Sequence, residues 1–354
     1  MKNLILVLSL ISFWASAQPV NKHIKEESVA RVLKTLAADE MMGRSATRPE
    51  HIEKATRFIE TEFAKIKLEK LPGLSTYRQE FKKEMIAPGT VTVTINGKPI
   101  ASDKIVLASE SVTINYSKDL VIKTIAYDST AQNKRQYLIS RAFNLVRNDT
   151  TSSLVMVDSR FQKEFKELNS YFGKRLVANR KGTKVFVLGD EEIKSYSIEG
   201  NQKLETITMA NVVGVLPGKT RPEEYVVFSG HYDHIGIRPS ISGDSIANGA
   251  DDDASGTTAV IELARYFKKV KNNNRTLIFV AFTAEEIGGF GSRYFSEQIK
   301  PDQVMAMFNI EMIGKPSKWG QNFAFITGYE RSDFGEILQK NLQGSGFEFR
   351  PDPY

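Results

Sequence analysis

The chain predicts an α/β fold with a mostly parallel, buried central sheet, interrupted by a β-rich region. Three observations lead there. After Ala210, short apolar runs alternate with helix-period stripes, the pattern of a parallel sheet covered by helices. Before Lys70, apolar residues recur at helical spacing. Between Met85 and Gly200 the texture turns to alternating, β-branched segments. A length of 354 residues with 41% hydrophobic content suits one large or two medium domains.

The opening "MKNLILVLSLISFWASAQ" has a short basic start, an apolar run from Leu4 to Trp14 and a small-residue site at Ala15-Ser16-Ala17. It reads as a cleavable signal peptide over residues 1–17, too short for a membrane-spanning helix. The mature chain is therefore expected to start at Gln18, exported to a periplasm or beyond the cell. There is no cysteine, which removes disulfides, thiolate ligands, a thiol nucleophile and lipidation. The net charge of +6, on 48 basic and 42 acidic residues, is thin and dispersed. Lys268, Lys269 and Lys271 suit a helix C-terminus, and no basic run interleaved with aromatics points to nucleic acid.

Helices are expected on Val29, Leu33, Leu36 and Ala37, and on Ala55, Phe58, Ile59, Phe63 and Ile66, separated by the loop "DEMMGRSATRPEH". This N-terminal helical part is placed at 18–84. In the β-rich region, 85–205, "TVTVTINGKPI" carries an Asn96-Gly97 hairpin signal. "DLVIKTIAY", "SSLVMVDS" and "GTKVFVLG" read as strands, and Phe161 to Asn179 as a helix. The remaining block, 206–354, alternates the runs "NVVGVLPG", "EYVVFSGHYDH", "RTLIFVAFTAEE", "VMAMFNIEMIG" and "NFAFITG" with two helical stretches. The first of these carries Ala259, Val260, Leu263, Ala264 and Phe267.

Polar residues follow these runs. "YVVFSG" ends at His231-Tyr232-Asp233, "LIFVAFTA" at Glu285-Glu286 and "MAMFNI" at Glu311. Open α/β sheets bind ligands outside the carboxyl ends of their strands, so these groups should meet at one rim. "GADDDASG", Gly249 to Gly256, lies in the loop after the first run, and its adjacent carboxylates call for a positive charge. Imidazole and carboxylate donors without thiols suit zinc, or another divalent transition metal. Asp233, two positions beyond His231, can turn back to the imidazole ring. Of Glu285 and Glu286, one can bind metal and the other can take a proton from metal-activated water. His234 reads as a packing or capping residue.

Together, "SGHYDHIG", "NGADDDASGTTAVIELAR", "FVAFTAEEIGGFGSRYF" and "NIEMIG" resemble the co-catalytic zinc exopeptidases, which include bacterial leucyl aminopeptidases and glutamate carboxypeptidase relatives. "LAADEMMGR" resembles that family's usual opening, and the stretch from Ser152 to Gly189 resembles part of a protease-associated domain. The resemblance implies a three-layer sandwich with a protease-associated insert. It also implies two zinc ions, a peptide substrate and hydrolysis at a chain end, most often of the aminopeptidase kind. By position, His231 would bind one zinc and Asp233 would orient it. Asp252 would bridge both ions, Glu285 would be the general base and Glu286 would hold the second ion. Glu311 stands where the family usually has aspartate. The family's last histidine ligand has no counterpart before the final "FEFRPDPY". The only histidines are His23, His51, His231 and His234, so the chain is expected to lack its C-terminal end and one metal ligand, and to be inactive for that reason. Two other readings are a non-catalytic peptidase-fold binding protein and a glutaminyl-cyclase-like acyltransferase. Oligomeric state and side-chain preference are not encoded in any motif.

Overall fold

The computed structural model describes residues 22–353, apart from 174, 178–180 and 242. The expected signal peptide lies outside the described residues. The chain forms two compact units, one of residues up to Gln79 with Ala210 onward, the other of Glu80–Met209. The strands Arg78–Ile95 and Tyr196–Leu216 contribute residues to both.

In the first unit, the helix Glu26–Leu36 has Glu26 and Glu27 in its first turn and Lys34 in its last, in keeping with the helix dipole. The helix Pro49–Ile66 starts on a proline, whose missing N–H costs nothing there, and stops at Lys67 in the left-handed region. The loop expected between them contains a tight helical turn, Asp39–Arg44. In the sheet, Val304–Asn309 lies beside Arg221–His231, which lies beside Arg275–Phe282, all parallel. The end of Tyr196–Leu216 then pairs antiparallel with Arg275–Phe282, and Glu69–Lys70 antiparallel with that end. This part of the sheet is therefore mixed rather than mostly parallel. Only Pro217–Thr220 link Leu216 to Arg221, and so short a link cannot carry the crossover that parallel strands require.

Alternate side chains of these strands point to opposite faces. Phe228, Phe279 and Ala281 join Leu36, Ile59, Phe63, Val260 and Ala264 in one core beneath three helices. Val227, Ile278, Val280 and Phe282 pack against Phe295 of the helix Phe290–Gln298 on the other. Phe228 stacks between Phe279 and Phe308, with ring centroids 5.6 and 5.1 Å away. Helix Gly256–Val270 leads away from the sheet rim and ends on Lys271 at φ 53°.

The second unit has a four-stranded sheet ordered Ile105–Ala108, Lys184–Leu188, Ser153–Val157, Val121–Ile125. One face packs on the helix Lys134–Asn148 through Leu138, Ala142 and Val146. Two expectations change here. Phe161 to Asn179 is not one helix but the short turns Ser159–Phe161, Gln162–Phe165 and Leu168–Phe172. Phe161, Phe165, Leu168 and Phe172 all enter the same core, which imitates helical spacing across the breaks. The helix Lys134–Asn148 was not expected; its narrow apolar stripe is interrupted by Arg135, Arg141 and Arg147. Among the described residues, no helix is long and apolar enough to cross a membrane.

Candidate metal centre

The three parallel strands end level with one another. His231 is in register with Phe282, and Ser229 with Asn309. Just past these ends the chain turns, at Ala284 with φ 61° and at Met312 with φ 51°. His231, the Glu285-Glu286 pair and Glu311 therefore share one rim.

The three neighbouring aspartates go three ways. Asp253 is fully buried and faces the protein. Its carboxylate accepts the backbone N–H of His231 and of Gly256, both at 3.0 Å, and that of Met312 at 3.2 Å. It thus ties a strand end, a helix start and the turn after Glu311 to one point. Asp251 accepts the N–H of Gly314 at 2.8 Å and lies 3.4 Å from Lys315 Nζ. Asp252 turns the other way, into the site, across a cis Asp252-Asp253 peptide. One of its oxygens is 3.1 Å from His231 Nε2 and the other 3.9 Å from His234 Nδ1.

Two sets of donors result, and they share Asp252. His231, Asp252 and Glu311 form one, and His234, Asp252 and Glu286 the other, with the donor atoms of each set within 4.8 Å of one another. His231 Nε2, His234 Nδ1 and Glu286 Oε1 are buried without a hydrogen-bond partner. Nδ1 of His234 and Oε1 of Glu286 stand 2.5 Å apart without hydrogen-bond alignment. Buried polar atoms are rarely left unpaired, and here the orphans converge. Nitrogen and carboxylate donors fit zinc or a similar divalent ion.

The ring of His231 is held from behind. Its Nδ1 lies 3.1 Å from the backbone carbonyl of Asp233, and 3.8 Å from that residue's carboxylate. The Asp233 carboxylate is fully buried and accepts the N–H groups of Glu285 at 3.1 Å and Glu286 at 3.4 Å. The other end of the Glu285 side chain is open, with Oε2 3.9 Å from His231 Nε2. Burial would lower the His231 pKa, but the carboxylates of Glu311, Asp233, Asp253 and Glu285 outweigh it and push the imidazole up to about 10. Burial raises Asp233 to about 6 and Asp253 to about 7, and moves Glu285 upward. The imidazole of His234 holds Glu286 below its ordinary value, and that of His231 does the same for Glu311.

Two residues of this site escaped the sequence reading. His234, read as packing or capping, belongs to the second donor set. Its signal was a second imidazole three positions after His231. Arg44, noticed only inside "LAADEMMGR", is fully buried. It donates to the carbonyls of Tyr232 at 2.7 Å, Leu36 at 2.5 Å, Asn248 at 2.6 Å and Gly249 at 2.9 Å. Burial lowers it to about 10, so it stays cationic at neutral pH. Met42, Gly43 and Arg44 follow one another at φ 51°, 67° and 51°, a left-handed run that L-residues adopt at a cost. A Cβ on Gly43 would lie 2.7 Å from Gly236 and from Ala247 O, so only glycine lets this turn approach.

Comparison with known proteins follows the same lines. Over 111 residues the chain is 37% identical to a probable zinc metalloprotease of Pyrenophora tritici-repentis, covering 30% of this chain and 25% of that protein. Over 132 residues it is 29% identical to aminopeptidase YwaD of Bacillus subtilis, covering 35% and 27%. The chain thus matches about a quarter of the length of these curated relatives. In fold it is similar to an aminopeptidase from Aneurinibacillus sp. strain AM-1, with TM-score 0.54 and 18% identity over 94% of this chain and 81% of that one. It is likewise similar to a zinc aminopeptidase from Bacillus subtilis, with TM-score 0.51 and 16% identity over 92% and 79%. The structural likeness is one of mixed α/β fold. Residues 211–354 match the family description "Peptidase family M28", and the chain carries a domain of that family.

Proposed function

We propose that this protein is a zinc-dependent exopeptidase of the aminopeptidase type. The observation that carries the reading is the pair of donor sets meeting at Asp252, each with one imidazole and one glutamate. The names of the zinc metalloprotease and aminopeptidase relatives support it. In this reading His231, Asp252 and Glu311 hold one ion, and His234, Asp252 and Glu286 the other. Zinc, when bound, polarises a carbonyl as a Lewis acid and makes water acidic enough to lose a proton near neutral pH. Glu285 is the general base. Its carboxylate takes that proton and delivers it to the leaving amine. Its raised pKa suits a group that must both accept and release a proton. Asp233 positions this base by gripping the Glu285 and Glu286 amides, and its carbonyl keeps the His231 ring turned toward the ion.

We assign residues 18–84 and 206–354 to the peptidase, and 85–205 to an insert of the protease-associated kind. The division at Gln79 and Ala210 supports an insertion there. The N-terminal "MKNLILVLSLISFWASAQ" supports export.

The test is metal content followed by activity on aminoacyl anilides and unblocked peptides. About two zinc ions per chain are expected. Glu285→Gln should keep them while losing about 10²–10⁴ in turnover, and Glu286→Ala should lose zinc itself. Protein that retains no zinc, or that cyclises N-terminal glutamine instead of hydrolysing peptides, would refute the assignment.

A further inference from the structure

Arg44 is a buried cation that donates to four main-chain carbonyls, and three of these partners flank the donor residues. Tyr232 lies between His231 and Asp233, and Asn248 and Gly249 lead into the aspartates. Its own backbone joins in, with the His234 N–H donating to Arg44 O at 3.1 Å and Gly236 N–H to Gly43 O at 3.0 Å. Asn248 Nδ2 ties the same loops again, donating to Ala37 O at 2.8 Å and Asp39 Oδ1 at 2.7 Å. The left-handed run that brings Arg44 into place is strained, which is tolerated where the surroundings over-determine it.

We propose that Arg44 is a positioning residue that fixes the spacing of the two donor sets and supplies a permanent positive charge to the acidic rim before any metal arrives. The inference rests on the metallopeptidase reading above. Asp233, Asp252, Asp253 and Glu286 all act electrostatically on this one guanidinium. It adds a cation behind carboxylates that are otherwise balanced by the imidazoles, by backbone amides and, for Glu286, by Arg238. A guanidinium is suited to the task, because its planar fork offers five N–H donors in fixed directions. A lysine would bring the charge but only three donors from a single point, so it cannot span four carbonyls.

The experiment compares wild type, Arg44→Lys and Arg44→Met as full chains. Zinc affinity is read by chelator competition, thermal stability with and without zinc, and kcat and KM separately. Both variants should bind zinc about 10- to 100-fold more weakly, the range seen when groups behind metal ligands are removed. The loss in Tm should be larger with zinc than without it, because weaker zinc binding adds to any loss in the zinc-free fold, and larger for Met than for Lys. Turnover should fall in both while KM changes little. Equal zinc affinity in all three proteins overturns the inference, as does an equal loss of Tm with and without zinc. Failure of both variants to fold even in excess zinc would make Arg44 a core residue only, and overturns it too. Wild-type protein that binds no zinc would defeat the metallopeptidase reading first, and the inference with it.

Discussion

Gly256→Ala sets helix propensity against packing, and the two predict opposite signs. Gly256 is the first residue of the helix Gly256–Val270, and alanine within a helix is favoured over glycine by about 1 kcal/mol. A Cβ there would lie 2.0 Å from Ile310 O and 2.5 Å from both carboxylate oxygens of Asp253. Ordinary contact begins at 3.4 Å, so the Ile310 carbonyl would have to retreat by 3.4 − 2.0, about 1.4 Å. Neither neighbour is a flexible side-chain end. Ile310 is backbone next to Glu311, and Asp253 is held by three amides. Overpacking of this kind costs about 1–3 kcal/mol, and a clash with main chain belongs at the upper end. After the helix gain of about 1 kcal/mol is subtracted, a net loss of about 2 kcal/mol is expected in urea denaturation. Because Glu311 rides on the displaced turn, an error of about 1 Å should also lower turnover about 100-fold. Gly189→Ala is the control, since its Cβ would make only ordinary contacts, with Met156 Cε at 3.4 Å and Glu191 Oε2 at 3.7 Å. A Gly256→Ala protein as stable as wild type or more so, with unchanged zinc affinity, would refute the packing argument.

Other outcomes follow from named contacts. Asp252→Ala should abolish zinc retention yet leave the zinc-free protein no less stable, because it removes one carboxylate from a crowded rim. Asp253→Ala should instead lower zinc-free stability by about 2–4 kcal/mol, since buried N–H groups lose their acceptor; both variants are compared by chelated denaturation and zinc analysis. Glu62, with a fully buried side chain, meets Arg31 at 2.6 Å, Lys65 at 3.1 Å and Arg265, joining three helices. Glu62→Ala should cost about 1–3 kcal/mol in urea denaturation, because charged hydrogen bonds are lost while Arg31 and Lys65 keep access to water. Glu53 is held below its ordinary 4.5 chiefly by hydrogen bonding to Arg78. Its contribution is therefore complete above pH 4.5 and is lost as pH falls through the lowered native value. Wild type should exceed Arg78→Gln by about 1 kcal/mol at pH 7, with the gap closing below pH 4.5, as followed by denaturation at several pH values.

The sequence by itself determined the α/β class of the C-terminal block, the strands Arg221–His231 and Arg275–Phe282, and the helix between them. These are short apolar runs and a helix-period stripe, signals that need no knowledge of distant neighbours. It also placed His231, the Glu285-Glu286 pair and Glu311 at strand ends, and the three aspartates in the loop after the first of them, because the end of an apolar run is visible locally. Tertiary structure alone decided the rest. The direction of the strand ending at Leu216 depended on which neighbour it met. Which of three identical aspartates turns inward depended on the amides of His231, Gly256 and Met312, brought together from three elements. His234 met Glu286 across fifty-two positions of chain, and Arg44 reached carbonyls about two hundred positions away. Periodicity reports the environment of a residue along its own element. A buried charge is placed by its partners, and these partners become neighbours only once the chain has folded.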